Sequence, residues 1–503
     1  MEKFDVVIIG SGLGGLATAV FLGKEGYRVC LLEKNKQVGG CLQTYARDKV
    51  VFDSGVHYIG GLSPGQNTYQ IFKYLGILDK LKLQKMDENA FDRIIFDGDD
   101  NEYPQAQGHE NFIQQLLKYF PEEEQGLRAY CAKIREVCSK FPLYNLREGD
   151  FYSEKADILG IDTKAFIESV TSNKRLQEVL AGNISLYAGL PDKSPFYVHA
   201  LVINSYIESS WKCVDGGSQI AKYLVEEIRK YNGEIIRHVE INRIVETAGK
   251  IAFVESKDGR KFYGDIFISN IHPARTLDIL ESDLIKKAYK SRIKSLENTI
   301  STFTLNIVLK PETFPYFKCN LYYHDRDSVW TGTEYTDENW PPEWAMFLQP
   351  SSRSEQWAEG MTILAYMKID DVREWEQTFN TVSGSDDRGP SYEAFKKAKA
   401  ELLIDKLELK FPDIRSCIKS YYTATPLTYR DYIGNEDGAL YGIVRDYKNP
   451  LKTFISPRTK VPNLFLTGQN LNLHGILGVS VSAMITTMSV LNRNDLIEEV
   501  RNA

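Results

Sequence analysis

The residues near the start of the chain with a spacing suited to chemistry are glycines that could cradle a dinucleotide. Gly10, Gly12 and Gly15 form the pattern G-x-G-x-x-G. Gly10 permits a tight turn, Gly12 lets the backbone approach a pyrophosphate, and Gly15 lets a helix pack closely. Glu33 follows the glycines in the sequence. In dinucleotide-binding folds an acidic residue roughly 20 residues after this motif accepts hydrogen bonds from the adenosine ribose. These residues predict a dinucleotide site.

Such a site needs a strand, a turn, a helix and a second strand to hold it. Residues 4–9 are apolar and lead into the glycines, residues 16–24 have the small and apolar composition of a buried helix, and a second apolar run ends at Glu33. We predict a βαβ unit with a right-handed crossover, whose helix N-terminus faces the phosphates. Leu13 and Gly14 at that N-terminus, and Lys34 after the second strand, are predicted as further cofactor contacts.

The segment after Glu33 carries a resemblance to a known family. Gly39-Gly40-Cys41-Leu42-Gln43-Thr44 resembles the G-G-x-x-x-T/S loop of the flavin amine oxidase and phytoene desaturase superfamily. In those families the loop runs along the pyrophosphate and ribityl chain of FAD. The resemblance implies one non-covalently bound FAD, contacted here by Gly39, Gly40, Cys41 and Thr44.

Later segments are similar to the same superfamily. Residues 241–244 look like the strand whose backbone holds adenine, which implies a contact at Ile241. Residues 463–470 resemble the segment that closes over the flavin, although the family usually has an acid where this chain has Asn470. A last helix would point its N-terminus at the isoalloxazine ring and stabilise negative charge there. The cofactor contacts implied by the closing segment and by the last helix are Gly468, Gln469, Asn470, Gly478, Val479 and Ser480.

Two segments resemble the carotenoid isomerase and retinol saturase branch of that superfamily. Residues 52–61 are similar to the F-D-T-G-x-H-Y-x-G segment of retinol saturases, and residues 425–442 contain elements like their P-x-T and G-x-x-Y-G. The resemblance implies an FAD-dependent oxidoreductase that acts on C=C bonds of a polyene or isoprenoid lipid. Saturation is the first expectation, with isomerisation or desaturation as alternatives. NAD(P)H is one candidate electron donor, although the sequence has no second G-x-G-x-x-G.

His57 is the side chain that we predict to act beside the flavin. An imidazole titrates near neutrality, so it could orient the substrate or move a proton. The alternative is a histidine that only hydrogen-bonds its own loop. No cluster of residues suggests a metal site.

Composition and charge limit the other classes of function. With 503 residues, 43% hydrophobic and 26% charged, the chain is long enough for two packed globular domains. Its net charge of -7 and scattered basic residues argue against a nucleic-acid partner. The seven cysteines do not occur in closely spaced pairs of the kind that bind zinc. The apolar segment 476–491 is too short to span a bilayer. We expect a cytoplasmic protein, with peripheral docking on the inner face of a membrane as an additional hypothesis because the substrate is a lipid.

The predicted fold class is α/β, with a Rossmann-type FAD-binding domain and an inserted mixed α+β substrate domain. We assign residues 1–75, 215–275 and 455–503 to the FAD-binding domain, and residues 76–214 and 276–454 to the substrate domain with a helical insertion. Two alternatives share this fold. One is a flavin-free lipid escort resembling the dissociation inhibitors of prenylated GTPases, and the other is an amine oxidase. Glu33, the Gly39-Gly40 loop and the segment around Gly468 favour the flavin enzyme over the escort.

Overall fold

The computed structural model describes residues 3–149, 153–325, 328–382, 384–435 and 437–503. The strands, in chain order, are β1 (Lys3–Ile9), β2 (Val29–Glu33), β3 (Thr44–Arg47), β4 (Val50–Asp53), β5 (Ile59–Gly60), β6 (Leu83–Lys85), β7 (Asp92–Phe96), β8 (Glu102–Gln105), β9 (Ser210–Cys213), β10 (Glu234–Arg237), β11 (Ile241–Thr247), β12 (Lys250–Ser256), β13 (Lys261–Ser269), β14 (Leu280–Glu281), β15 (Ser301–Leu309), β16 (Asn320–His324), β17 (Glu343–Leu348), β18 (Gly360–Met367), β19 (Asn380–Thr381), β20 (Gly384–Ser385), β21 (Ile418–Ala424) and β22 (Leu464–Leu466). The α-helices are α1 (Leu13–Lys24), α2 (Asn67–Tyr74), α3 (His109–Leu117), α4 (Glu124–Ser139), α5 (Thr163–Val170), α6 (Lys174–Ala181), α7 (Phe196–Glu208), α8 (Ser218–Lys230), α9 (Pro273–Ile279), α10 (Lys287–Lys294), α11 (Gly389–Lys410), α12 (Ile414–Cys417), α13 (Pro426–Ile433), α14 (Gly475–Leu491) and α15 (Leu496–Arg501).

The first sheet gathers strands from the start, the middle and the end of the chain. Its order is β10-β2-β1-β13-β12-β11-β14, and β22 pairs with β13. Strand β1 runs parallel to both β2 and β13, so it lies inside the sheet. Parallel strands covered on both faces require continuous apolar runs, and Val6, Val7 and Ile8 are fully buried. The predicted α/β class with a Rossmann-type domain is confirmed.

Helices cover the first sheet and bring the two chain ends together. Helix α1 begins at Leu13, directly after Gly12, and packs against α14 and α8. Gly15 lets α1 lie close to the turn before it, because a Cβ there would lie 2.1 Å from the Gly10 carbonyl oxygen. Small residues allow α14 to pack closely, since the buried side of that helix contains Gly478, Ser482 and Ala483.

The second sheet has the order β21-β15-β18-β17-β16-β7-β8. Its pairs are antiparallel except for β16 with β7. The helices α3 to α7 pack on one face, and α11 packs on the other. The sheet therefore joins strands from both segments that we assigned to the substrate domain. The domain bounds themselves stay a prediction, and β14 pairs with the first sheet although it lies within the segment 276–454.

Candidate functional site

A cavity of about 740 Å³ connects the glycine turn of the first sheet with the second sheet. Gly10 and Glu33 lie at one end, whereas Tyr322, Phe347 and Tyr366 line the wall that the second sheet supplies. Sixteen of the predicted site residues line this cavity: Gly10, Gly12, Leu13, Gly14, Glu33, Lys34, Gly39, Gly40, Cys41, His57, Ile241, Gly468, Gln469, Asn470, Gly478 and Val479. The tertiary fold thus brings together residues from the start, the middle and the end of the chain.

Three predicted residues lie away from the cavity wall. The Thr44 hydroxyl donates to Ser218 Oγ over 2.9 Å. The Ser480 hydroxyl donates to the Ile476 carbonyl oxygen over 2.8 Å. Gly15 faces the Gly10 carbonyl instead, as its predicted packing role requires. For all of the predicted site residues, a direct contact with a cofactor stays a prediction.

The glycine turn is shaped by contacts that leave no room for side chains. Gly10 has φ +95°, a left-handed conformation that favours glycine. A Cβ on Gly14 would lie 2.5 Å from Asn270 Oδ1 and 2.9 Å from the Gly468 Cα. The glycine turn therefore meets both Asn270, which follows β13, and Gly468 of the closing segment. Asn270 also donates to the Gly10 carbonyl oxygen over 3.1 Å, a role that the sequence pattern did not reveal.

Glu33 ends β2 with its carboxylate held at the cavity wall. The Ser11 N–H donates to Oε2 over 3.1 Å, and the Asn35 N–H donates to Oε1 over 2.7 Å. The Ser11 hydroxyl also donates to Oε2, so the buried carboxylate keeps a free lone pair on Oε1. Lys34 Nζ donates to the Asp431 carbonyl oxygen over 2.8 Å and so ties α13 to this end of the cavity. Burial lowers the pKa of Lys34.

The loop after Glu33 lies against the glycine turn. Gly39 has φ +117° and its N–H donates to the Ser11 carbonyl oxygen over 3.0 Å. A Cβ on Gly40 would lie 3.2 Å from the Gly12 Cα. Cys41 follows in the cavity wall, and burial raises the pKa of its thiol to about 11, so the thiol stays protonated at neutral pH.

The closing segment meets the same cavity from the other side. Gly468 has φ +102°, and Asn470 Oδ1 accepts from the Ile443 N–H over 3.1 Å. The first turn of α14 also lines the cavity through Gly475 and Gly478. Two helix N-termini, those of α1 and α14, thus face the cavity, and each favours negative charge.

These features fit an extended dinucleotide. The cavity has a glycine cradle that side chains would fill, a helix N-terminus for a pyrophosphate, and a carboxylate of the kind that binds a ribose. Val239, Glu240 and Ile241 complete the wall near Glu33, where the adenine strand is predicted. FAD is the dinucleotide that suits both the loop at residues 39–44, which resembles the flavin amine oxidase superfamily, and the N-terminus of α14.

The other end of the cavity is apolar and aromatic. Side chains from the helical insertion and from the second sheet form its wall, including Phe141, Leu159, Leu186, Leu201, Phe347 and Leu364. An enclosed apolar space with a few polar groups suits a hydrophobic ligand.

His57 lies in this aromatic region. Its ring stacks on Phe347 with centroids 4.5 Å apart. Burial, with a smaller effect of the Lys212 charge, lowers the pKa of His57 to about 3. In the described part of the chain no hydrogen bond links this imidazole to its own loop or to another group. His57 is therefore a neutral ring with free nitrogen atoms at the cavity.

A polar network behind the aromatic wall was missed by sequence reasoning. Tyr58 donates to Asp92 Oδ2 over 2.9 Å, and its hydroxyl lies 2.7 Å from that of Tyr322. Asn320 donates to Asp92 Oδ1 over 2.9 Å, and burial raises the pKa of Asp92 to about 6. Only Tyr58 carried a signal, because it stands within the retinol saturase-like segment. The rest comes from strands without a recognisable motif.

Comparisons with known proteins agree with this fold. A family model for an NAD(P)-binding Rossmann-like domain matches residues 8–75. Human all-trans-retinol 13,14-reductase is 27% identical over 100% of this chain and 87% of its own length. Prolycopene isomerase 2 of an Oncidium hybrid cultivar is 24% identical over 96% of this chain and 83% of its own length. The solved structure of cyclohexylamine oxidase from Brevibacterium oxydans has a TM-score of 0.63 and 12% identity, covering 100% of this chain and 99% of that one.

The fold, the matched domain and the full-length relatives together define the class as an oxidoreductase with a Rossmann-like dinucleotide-binding domain. Within that class the chain is similar over its whole length to all-trans-retinol 13,14-reductases, and next to prolycopene isomerases. The predicted resemblance to the retinol saturase and carotenoid isomerase branch is confirmed. The likeness to the amine oxidase concerns the fold alone.

Proposed function

We propose that this protein binds FAD and saturates a C=C bond of an apolar polyene or isoprenoid lipid, in the manner of a retinol saturase. The observation that carries the proposal is the continuous cavity, which combines a dinucleotide cradle with an aromatic lobe. The full-length similarity to retinol reductases supports the same substrate class. When bound, FAD supplies the hydride equivalent that this chemistry needs.

The chain's own residues would hold the reactants and exclude water. The N-termini of α1 and α14 would bind the pyrophosphate and stabilise negative charge on the ring system. The aromatic wall around Phe347 would orient the polyene. His57 would orient the substrate through its neutral nitrogens.

An anaerobic half-reaction screen tests this function. We expect the purified protein to show a flavin absorption spectrum, and the protein reduced with dithionite to be reoxidised by a polyene such as all-trans-retinol. Amines offered to the oxidised protein should not bleach the flavin. A colourless protein that takes up no added FAD would instead favour the flavin-free escort.

Isomerisation is the second candidate because prolycopene isomerases are also full-length relatives. It would need reduced FAD but no net electron transfer, so the screen separates it by product: an isomer appears while the flavin stays reduced. Desaturation would show the reverse, with oxidised flavin bleached by a more saturated substrate.

The electron donor for saturation is a further part of the proposal. We place NAD(P)H first, ahead of a carrier protein. Anaerobic mixing of the oxidised protein with NADH or NADPH tests this directly, since bleaching of the flavin identifies the donor.

We also propose a cytoplasmic protein that docks peripherally on the inner face of a membrane. Among the described residues no helix has the length and apolar character needed to cross a bilayer. Leu451 lines the cavity mouth and is 66% exposed, and the exposed Lys448 and Lys452 flank it. An apolar tip between basic side chains suits insertion among anionic headgroups. A lipid could then enter the cavity without crossing water.

A further inference from the structure

We propose that His324 and Glu343 hold a shared proton in the cavity wall and deliver it to the substrate. This inference rests on the proposed function for its substrate. Both residues line the cavity, and neither belongs to the predicted site. Saturation of a C=C bond needs a proton as well as a hydride equivalent, and His57, being neutral, has no proton to spare at neutral pH.

The pair is created by strand register. His324 ends β16 and Glu343 begins β17, and the antiparallel register places the two residues directly opposite each other. His324 Nδ1 lies 3.3 Å from Glu343 Oε2, and the side chains are only 4% and 7% exposed. Gly332 closes the far side, because a Cβ there would lie 2.4 Å from Glu343 Cδ.

The contacts of the two side chains favour an additional proton between them. His324 Nε2 lies 2.8 Å from the Gly182 carbonyl oxygen, which can only accept, so Nε2 carries a hydrogen. A neutral imidazole would then point the Nδ1 lone pair at an ionised carboxylate, and the two would repel. The contact is attractive only when a proton lies on Nδ1 or on Oε2. Oε2 is buried and has no hydrogen-bond partner among the described residues, His324 Nδ1 included, so a proton on either atom is what would join the two side chains.

Contacts link this pair to the end of the cavity that holds α14. Burial and the nearby Glu343 carboxyl raise the pKa of Tyr366, whose hydroxyl donates to the Ser185 carbonyl oxygen over 3.2 Å. The next carbonyl, that of Leu186, accepts from His474 Nε2 over 3.0 Å. His474 is the N-cap residue of α14. Residues 185 and 186 therefore connect the surroundings of Glu343 with the first turn of α14.

The π bond of the substrate breaks and two C–H bonds form. One carbon receives a hydride equivalent from reduced flavin, which is oxidised, and the other receives the proton held at Nδ1 or Oε2. The substrate gains two electrons and two hydrogens, and the pair takes a replacement proton from water. A positioned general acid typically contributes about 10²- to 10⁴-fold to a rate.

The first test needs no substrate. At pH 7.5 the flavin-loaded protein is compared with Glu343→Gln by infrared difference spectroscopy and by NMR of ¹⁵N-labelled histidine. We expect either an undissociated carboxyl band that shifts in heavy water and is absent from the variant, or a His324 ring protonated on both nitrogens. An ionised Glu343 beside a neutral His324 would overturn the proposal.

The second test measures proton delivery. Wild-type, Glu343→Gln and Glu178→Gln proteins are reduced anaerobically and mixed with the polyene in heavy water. Glu178 is a matched control: it is half-buried, interacts electrostatically with His324, and accepts from the Val329 N–H over 2.7 Å, but it does not line the cavity.

We expect Glu343→Gln to slow reoxidation and deuterium incorporation about 10²-fold or more while flavin content and polyene binding stay unchanged. Glu178→Gln should remain within about twofold of wild type. Equal rates for Glu343→Gln and wild type would overturn the proposal. A wild-type protein that no polyene reoxidises would instead overturn the proposed function, and the first test would still decide whether the proton is shared.

Discussion

At the scale of single residues, the buried ionisable groups around the cavity have measurable consequences. His57 has its pKa lowered to about 3 because burial penalises the imidazolium. We therefore predict that His57 stays neutral between pH 5 and 8. NMR of ¹⁵N-labelled histidine, with the signal assigned by its loss in His57→Gln, should show no titration in this range. A midpoint near 6.5, the ordinary value, would contradict the prediction.

Asp53 provides a second residue-scale prediction. Burial raises its pKa to about 7, against the opposing effect of the Gly217 N–H that donates to Oδ1 over 2.7 Å. The folded state therefore binds a proton that the unfolded state has lost above pH about 4, and this contribution to stability disappears as pH rises through 7.

Between pH 5 and 8.5 the free energy of unfolding should fall more in wild type than in Asp53→Asn, by about 1–3 kcal/mol. Urea denaturation at both pH values with excess FAD measures this difference. Asp283→Asn, at an exposed position, controls for the loss of one negative charge. Parallel pH profiles for wild type and Asp53→Asn would show that Asp53 ionises normally.

At the scale of elements, the βαβ unit depends on how closely α1 approaches the turn before it. An alanine in a helix is ordinarily better than glycine by about 1 kcal/mol. At Gly15 we expect the opposite, since the Cβ would lie 2.1 Å from a backbone oxygen that cannot move freely. Gly15→Ala should lower the free energy of unfolding by about 2 kcal/mol or more and reduce the flavin content.

Absorption spectra and thermal unfolding of the purified variant measure both effects. Gly384→Ala is the matched control, because no atom lies within 4 Å of a Cβ at that position. A Gly15→Ala protein with full flavin content and wild-type stability would mean that the first turn of α1 does not have this geometry.

At the scale of the whole molecule, the cavity opens beside an exposed apolar tip. Leu451 is 66% exposed at the cavity mouth, and Leu409 is 67% exposed on α11 but does not line the cavity. Burying one leucine in an apolar phase is worth about 1.5–3 kcal/mol. Leu451→Ser should therefore lower the liposome-bound fraction several-fold in a flotation assay with anionic vesicles. Leu409→Ser should leave it unchanged, and equal behaviour of the two variants would refute docking at this mouth.

The sequence by itself determined the parts of the site that depend on local backbone geometry. A strand, a glycine turn and a helix N-terminus need particular residue types at fixed short spacing, so Gly10, Gly12 and Glu33 could be assigned without a structure. Element boundaries depend on more than spacing: α14 begins at Gly475 because His474 occupies the N-cap position.

Only the tertiary structure decided which distant residues meet. Asn270 and Gly468 join the glycine turn through the pairing of β13 with β1 and β22, and His324 faces Glu343 through the register of β16 and β17. Thr44 and Ser480 turned away from the cavity wall for the same kind of reason. Pairing and burial are set by the packing of segments far apart in the chain, whereas spacing in the sequence reports only on neighbours.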